Sequence, residues 1–370
     1  MNILNNSTTK CLQINKTFKK KYTPIDIPKL NNKYFRKIHD NFIHSYIKNH
    51  EELNIKNIEI HQLQEIDNED SYFIAQKFKK KIKDLKYNYH FHYQTIDIYF
   101  KTNKKIIKKI PSKIIYIFLL ILTLKDLFNR SKAHQKIIFY DLYDKKSLPS
   151  KLNDFIDQEN CNSAFCSVEY HQHINGPIVL FRNEECLKVI IHELIHGNFI
   201  DYNIIHGKGT KEISSQICTK YPILLNEGFT ETFASLLHMM FISHITKINI
   251  KTVFENEVIH TLYIMNKLLH YYKVNKIEDI LVNYGCVKEF KQKTNVFSYY
   301  IIKTINYLHI NSFLNMMKQN SNKYYQPNEK FNLLFMNYIM THIKNLNSYI
   351  YKDFKYSSKS LRLTCYEIQI

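Results

Sequence analysis

The sequence predicts an α+β protein with a strand-rich middle and a mainly helical C-terminal region. Three observations lead there. Short apolar or alternating runs bounded by turn residues recur between residues 87 and 182. Beyond Phe241 the apolar positions follow a helical period almost without a break. Only 6 Gly and 7 Pro occur in 370 residues, which favours long helices over tight turns.

Taken in order, residues 1–30 are rich in Asn, Lys and Thr and read as a flexible basic arm. Residues 34–86 read as helical and basic, ending in Lys77, Lys79, Lys80, Lys81 and Lys83. A solvated helix face accounts for that run, and a nucleic-acid patch is the other reading. Residues 87–93 alternate like a half-buried strand, which puts His90 and His92 on one face. That spacing can bind a metal, but no acid or cysteine is read as joining the pair; the same holds for His171 and His173. Residues 112–130 read as a helix behind Pro111. Its apolar stretch, 114–124, is shorter than the roughly 20 residues needed to cross a bilayer. Strands are expected at 136–142, 162–169 and 178–182. A helix then starts near Asn183, with Glu184 and Glu185 in its first turn, where the helix dipole favours acids. Helices follow around 255–272, 276–283, 296–308, 311–318 and 328–346, and residues 360–367 could form a short final strand. The expected regions are 1–30, 31–110, 111–250 and 251–370.

The helix after Asn183 carries Val189-Ile-Ile-His192-Glu193-Leu-Ile-His196, an H-E-x-x-H sequence in an apolar run. At 3.6 residues per turn, His192 and His196 project from one face. Two imidazoles so placed can share one tetrahedral ion, and Glu193 lies beside them, within reach of a metal-bound water. Zinc, one ion per chain, is the expected cofactor, because a d¹⁰ ion accepts an N/N/O set and acts as a Lewis acid without redox chemistry. Downstream, Leu225-Asn226-Glu227-Gly228-Phe229-Thr230-Glu231 reads as a second helix, with Pro222 near its start. Glu227 and Glu231 point the same way. One could be the third ligand and the other could hold a ligand histidine by its second ring nitrogen. Exposed charge fits poorly inside such apolar surroundings, and a metal would give buried histidines a partner.

Composition sets wider bounds. Hydrophobic residues make up 45% and aromatic residues 14%, enough for a substantial core. A net charge of +19 suits an anionic partner, although the abundance of Lys, Asn, Ile and Tyr also looks like the imprint of an AT-rich genome. Seven cysteines, an odd number with no C-x-x-C, argue against a disulfide scaffold and for a reducing, intracellular compartment. Residues 1–21 show no secretory signal. The expected partners are a protein or peptide substrate and, through the basic N-terminal region, nucleic acid.

These motifs resemble the gluzincins, the thermolysin-like and aminopeptidase-like zinc peptidases. The shared order is strand, H-E-x-x-H helix, then N-E-x-x-x-E helix. The resemblance implies a zincin-like catalytic core and peptide hydrolysis. Glu227 would be the third ligand, Glu231 the buttress of the first histidine, and Glu193 the general base. Asn162-Ser163-Ala164-Phe165 lies 30 residues before His192 and is similar to the N-x-A-F edge strand of thermolysin-like enzymes. By that likeness Asn162 and Ala164 would bind substrate backbone. The likeness also implies a downstream tyrosine for the oxyanion, with Tyr299 and Tyr300 as candidates and His260 and His270 in reserve. The 31 residues from His196 to Glu227 exceed the usual gap of the clan, and a loop at His206-Gly-Lys-Gly would fill it. A longer set of segments, including Glu227-Gly-Phe-Thr-Glu-Thr-Phe-Ala, Phe297-Ser-Tyr-Tyr and Leu361-Arg-Leu-Thr-Cys-Tyr-Glu, resembles uncharacterised metallopeptidase-like proteins of large double-stranded DNA viruses. Two other readings stand beside the peptidase. His206-Gly is similar to the H-G that follows H-E-x-x-H in Spartan-type DNA-associated proteases, which would make His206 the third ligand. Alternatively, a zincin fold could persist as a catalytically silent virion or structural component. On the spacing, Asp201 faces away from the histidine pair if the helix continues past His196.

Overall fold

Strand β4 (Gln135–Tyr140) lies near the middle of the fold and explains its layering. Its run Ile137-Ile138-Phe139-Tyr140 is apolar on both faces, as an inner parallel strand must be when both faces are covered. A computed structural model describes residues 3–22, 25–66, 74–107, 109–169, 174–205 and 207–369. Around β4 it builds one six-stranded mixed sheet. The other strands are β1 (Glu59–Leu63), β2 (Tyr87–Tyr93), β3 (Ile96–Thr102), β5 (Ala164–Glu169) and β6 (Ile174–Leu180), in the spatial order β1-β2-β3-β4-β6-β5. The inner pairs β3–β4 and β4–β6 are parallel, and the outer pairs are antiparallel. The sheet therefore spans the regions expected as 31–110 and 111–250.

Thirteen α-helices occur among the described residues: α1 (Asn6–Lys21), α2 (Lys33–Glu52), α3 (Gln76–Lys83), α4 (Ser112–Leu127), α5 (Gln158–Cys161), α6 (Cys186–Gly197), α7 (Tyr202–Ile205), α8 (Lys208–Gln216), α9 (Leu225–Thr246), α10 (Ile250–Tyr271), α11 (Lys303–Leu308), α12 (Ile310–Asn320) and α13 (Phe331–His342). The fold class is α+β, as expected. Helix α4 is apolar nearly all round because it is buried nearly all round, enclosed by the sheet, α2 and α6. It belongs to the main core with Phe91, Ile98, Ile137, Phe139, Ile178 and Leu180 from one sheet face. The opposite face is covered by α3, through Phe78 and Ile82 on Ile138, Tyr140, Val179 and Phe181. No helix among the described residues is long and apolar enough to cross a membrane.

Several expectations change. The stretch expected as a loose arm contains α1, which packs on α10 and buries Thr8, Cys11, Asn15 and Phe18. Helix α6 starts at Cys186, so Glu184 and Glu185 precede its first turn. Glu185 sits in a left-handed conformation (φ 61°), and its buried carboxylate accepts from Lys146 Nζ at 2.9 Å and from the Thr364 amide at 2.6 Å. Residues 360–367 form no strand; they thread through the core with Leu361 to Tyr366 all buried. Cys218 and Cys286 are joined by a disulfide, where the odd count argued against one. That pairing removes the cysteine argument for a reducing compartment. Two lysines of the basic run on α3 form ion pairs, Lys77 with Glu159 and Lys81 with Asp144.

Candidate metal centre

Helix α6 lies against β5 and β6 on one side and against α9 on the other, and all twelve of its residues are buried. Helix α9 crosses it so that Glu227, in the first turn of α9, faces His192 and His196. The approach is close because residue 228 is glycine. A Cβ there would fall 2.6 Å from Ile302 Cγ2, on the segment packed against α9.

Three ligand atoms converge. His192 Nε2 and His196 Nε2 are 3.1 Å apart. Glu227 Oε2 is 3.3 Å from the first and 3.6 Å from the second. A tetrahedral ion with bonds of about 2.0–2.1 Å holds its ligand atoms about 3.3–3.4 Å apart. The donor set and the spacing therefore fit zinc. His192 and His196 lie on one face of α6, as their spacing predicted, and Glu227 meets them from α9.

The second ring nitrogens are also engaged. His196 Nδ1 donates to Asp201 Oδ2 at 2.7 Å, and Asn226 Nδ2 donates to the same oxygen at 3.0 Å. An ionised carboxylate only accepts, so the neutral ring carries its one proton on Nδ1 and keeps the Nε2 lone pair for a metal. Asp201 is thus no ligand, but the reason differs from the expected one. Helix α6 stops at Gly197, Phe199 takes φ 57°, and the chain turns back to bring Asp201 under His196. His192 Nδ1 lies 3.3 Å from Glu231 Oε2, an ion-pair distance off the line of a hydrogen bond. Glu231 is itself held by Lys188 Nζ and, at 3.0 Å, by Lys303 Nζ, all three fully buried. No sequence spacing pointed to these lysines. Their apolar neighbours on α6 and α11 hid them.

The charges follow this packing. Burial alone would raise the Glu227 carboxyl, but the His196 and His192 rings outweigh it and hold it far below the usual range. Burial would likewise raise Glu231, and Lys188 and Lys303 reverse that. Burial lowers His192 and His196, yet the facing carboxylates of Glu227 and Glu231, and of Asp201 and Glu227, hold both above the usual value. Glu193 differs: burial pushes its carboxyl up, beyond what the two histidines offset. It borders a small pocket of about 30 Å³ together with His192, Asn162, Ala164 and Tyr299.

The tyrosine candidates separate. Tyr299 belongs to a π-helical turn, Phe297–Ile302, and its ring lies edge-on to His192 with centroids 5.8 Å apart. Tyr300 faces the other way and donates to the Leu361 carbonyl at 2.6 Å, so it is a packing residue and is withdrawn as an oxyanion candidate. His260 is buried against the Arg362 carbonyl, and His270 is exposed beside Phe354 and Tyr356; neither reaches the site. Strand β5 is the edge of the sheet on the α6 side, with Ala164 at its start and Asn162 just before it. Asn162 Oδ1 accepts from Thr294 Oγ1 at 2.9 Å. The gap between the ligand helices holds α7 and α8 where a loop was expected. His206, like His171 and His173, lies outside the described residues. No family model, curated protein or solved structure matches this chain.

Proposed function

We propose that the chain is a zinc-dependent peptidase, built on a zincin-like arrangement of the mixed sheet, α6 and α9. The observation that carries this reading is the triangle of His192 Nε2, His196 Nε2 and Glu227 Oε2, with sides of 3.1, 3.3 and 3.6 Å. Three protein ligands leave a fourth position open, as hydrolytic zinc sites require and structural sites avoid. When bound, the ion supplies an acidified water and a polarised carbonyl. Glu193 accepts a proton from the attacking water as its oxygen bonds to the scissile carbon, and returns it to the amine as the C–N bond breaks. A carboxyl raised by burial suits both halves of that transfer. Tyr299 has a hydroxyl that stays protonated, since burial and the nearby Glu227 raise it well above the usual value, so it can donate to the developing oxyanion. β5 is an edge strand, and an extended peptide would add beside it along Asn162 and Ala164 as a further strand.

The test is metal analysis combined with cleavage of a broad peptide library. Glu193→Gln should keep zinc and lose activity by about 10²–10⁴-fold. Glu227→Ala should lose zinc. A zinc-binding protein that cleaves nothing, with Glu193→Gln indistinguishable from wild type, would establish the catalytically silent reading.

A further inference from the structure

We propose that the solvent-side face of β2 and β3 holds a second divalent transition-metal site, formed by His90, His92 and Asp97 with His134 at its margin. The sequence places two histidines on this face without an acid. The fold supplies the acid, because the antiparallel register sets His92 opposite Asp97 and His90 opposite Tyr99. His90 Nε2 lies 2.6 Å and His92 Nδ1 2.8 Å from Asp97 Oδ1. His134, just before β4, brings its Nε2 to 2.6 Å from the other carboxylate oxygen. Among the described residues, two groups place three ligand atoms within 4.8 Å of one another, and this is the one outside α6 and α9.

The bland reading is a carboxylate capped by imidazole N–H groups, and its acceptor capacity allows that. Three features favour an ion. The two strand histidines bring different nitrogens, Nε2 and Nδ1, to the same oxygen of Asp97, so the three ligand atoms already converge, and an ion would part each pair by about 0.5–0.8 Å to reach tetrahedral spacing. The His90 ring is fixed by a parallel stack on Tyr99, with centroids 4.6 Å apart and planes 8° apart. Asp97 and His90 are mostly sheltered while His92 is about one-third exposed, so an ion and its remaining waters can enter from solvent. Two imidazoles and one carboxylate suit zinc, nickel or copper; calcium and magnesium prefer oxygen ligands throughout.

This site is distinct from the one on α6. It lies on the opposite sheet face, and β4 and β6 separate its strands from β5. Its existence does not depend on the peptidase reading. The test uses the full chain, stripped with a chelator and titrated with Zn²⁺, with bound metal counted by elemental analysis and affinity read by calorimetry. Wild type should bind two ions. H90A/H92A should bind one, H192A/H196A one, and the four-fold variant none. D97N, which preserves shape, should weaken the second site about tenfold or more while its melting curve stays two-state, and it keeps the test valid if the alanine pair fails to fold. A single ion in wild type that vanishes with H192A/H196A would overturn the proposal. So would two ions of unchanged affinity in H90A/H92A or D97N.

Discussion

At His196 the chemistry turns on which ring nitrogen keeps its proton, and Asp201 decides that. Replacing Asp201 by Asn removes the charge but keeps the shape. Zinc affinity should fall about 10–100-fold in chelator competition, with the circular dichroism spectrum unchanged. His192, Glu193 and His196 were legible because helical period fixes their relative positions on α6, whereas Glu227, on α9, was singled out only by the resemblance. Asp201 was not legible, because it acts through the end of α6: Gly197-Asn198 is a helix-stop signal, but nothing in it shows that Phe199 at positive φ turns the chain back under His196. His90 and His92 show the same limit from the other side. Their acid sits on the next strand, and only the turn between β2 and β3 brings it across.

At the level of elements, the contact of α9 with the π-helical turn depends on the missing side chain of Gly228. Gly228→Ala would press on Ile302 and push apart the two segments that bear Glu227 and Tyr299. A destabilisation of about 1–3 kcal/mol is expected from denaturant unfolding, with weaker zinc binding as the accompanying change. Most strands and long helices were legible, β4 and α10 most plainly, because burial on two faces or along a stripe writes itself into apolar spacing. Helix α1 was hidden because polar residues fill two of its inward positions. Thr8 and Asn15 are buried, and Asn15 Nδ2 donates to the Asn256 carbonyl at 2.9 Å. The inward spacing 8, 11, 15, 18 is helical, but hydropathy alone does not display it.

At the scale of the whole molecule, buried charge governs the response to acid. Burial by itself would raise the Glu185 carboxyl, but Lys146, Arg362 and Lys188 hold it down at about 2, from an ordinary 4.5. A carboxyl lowered by folding adds stability that is complete above about pH 4.5 and fades as pH falls towards about 2. Glu185→Gln should flatten the loss of stability across that window. It should also cost about 3–5 kcal/mol at neutral pH, since Lys146 is left buried without its counter-charge. Denaturant unfolding repeated between pH 2 and 7 measures both effects. The disulfide between Cys218 and Cys286 encloses α9 and α10, and a pairing across 68 residues could not be read from cysteine spacing.

The thread formed by residues 360–367 has a bearing on the site that its distance in sequence conceals. Lys303 Nζ donates both to Glu231 and, at 2.5 Å, to the Leu363 carbonyl, while Glu185 at the head of α6 accepts from the Thr364 amide. Nicking the backbone near Ser358 by limited proteolysis would remove no ligand. If the proposed zinc is bound, the nick should nevertheless loosen Lys303, unbalance Glu231 and speed release of zinc to a colorimetric dye, so that rate would report the state of a strap that touches none of the three ligands.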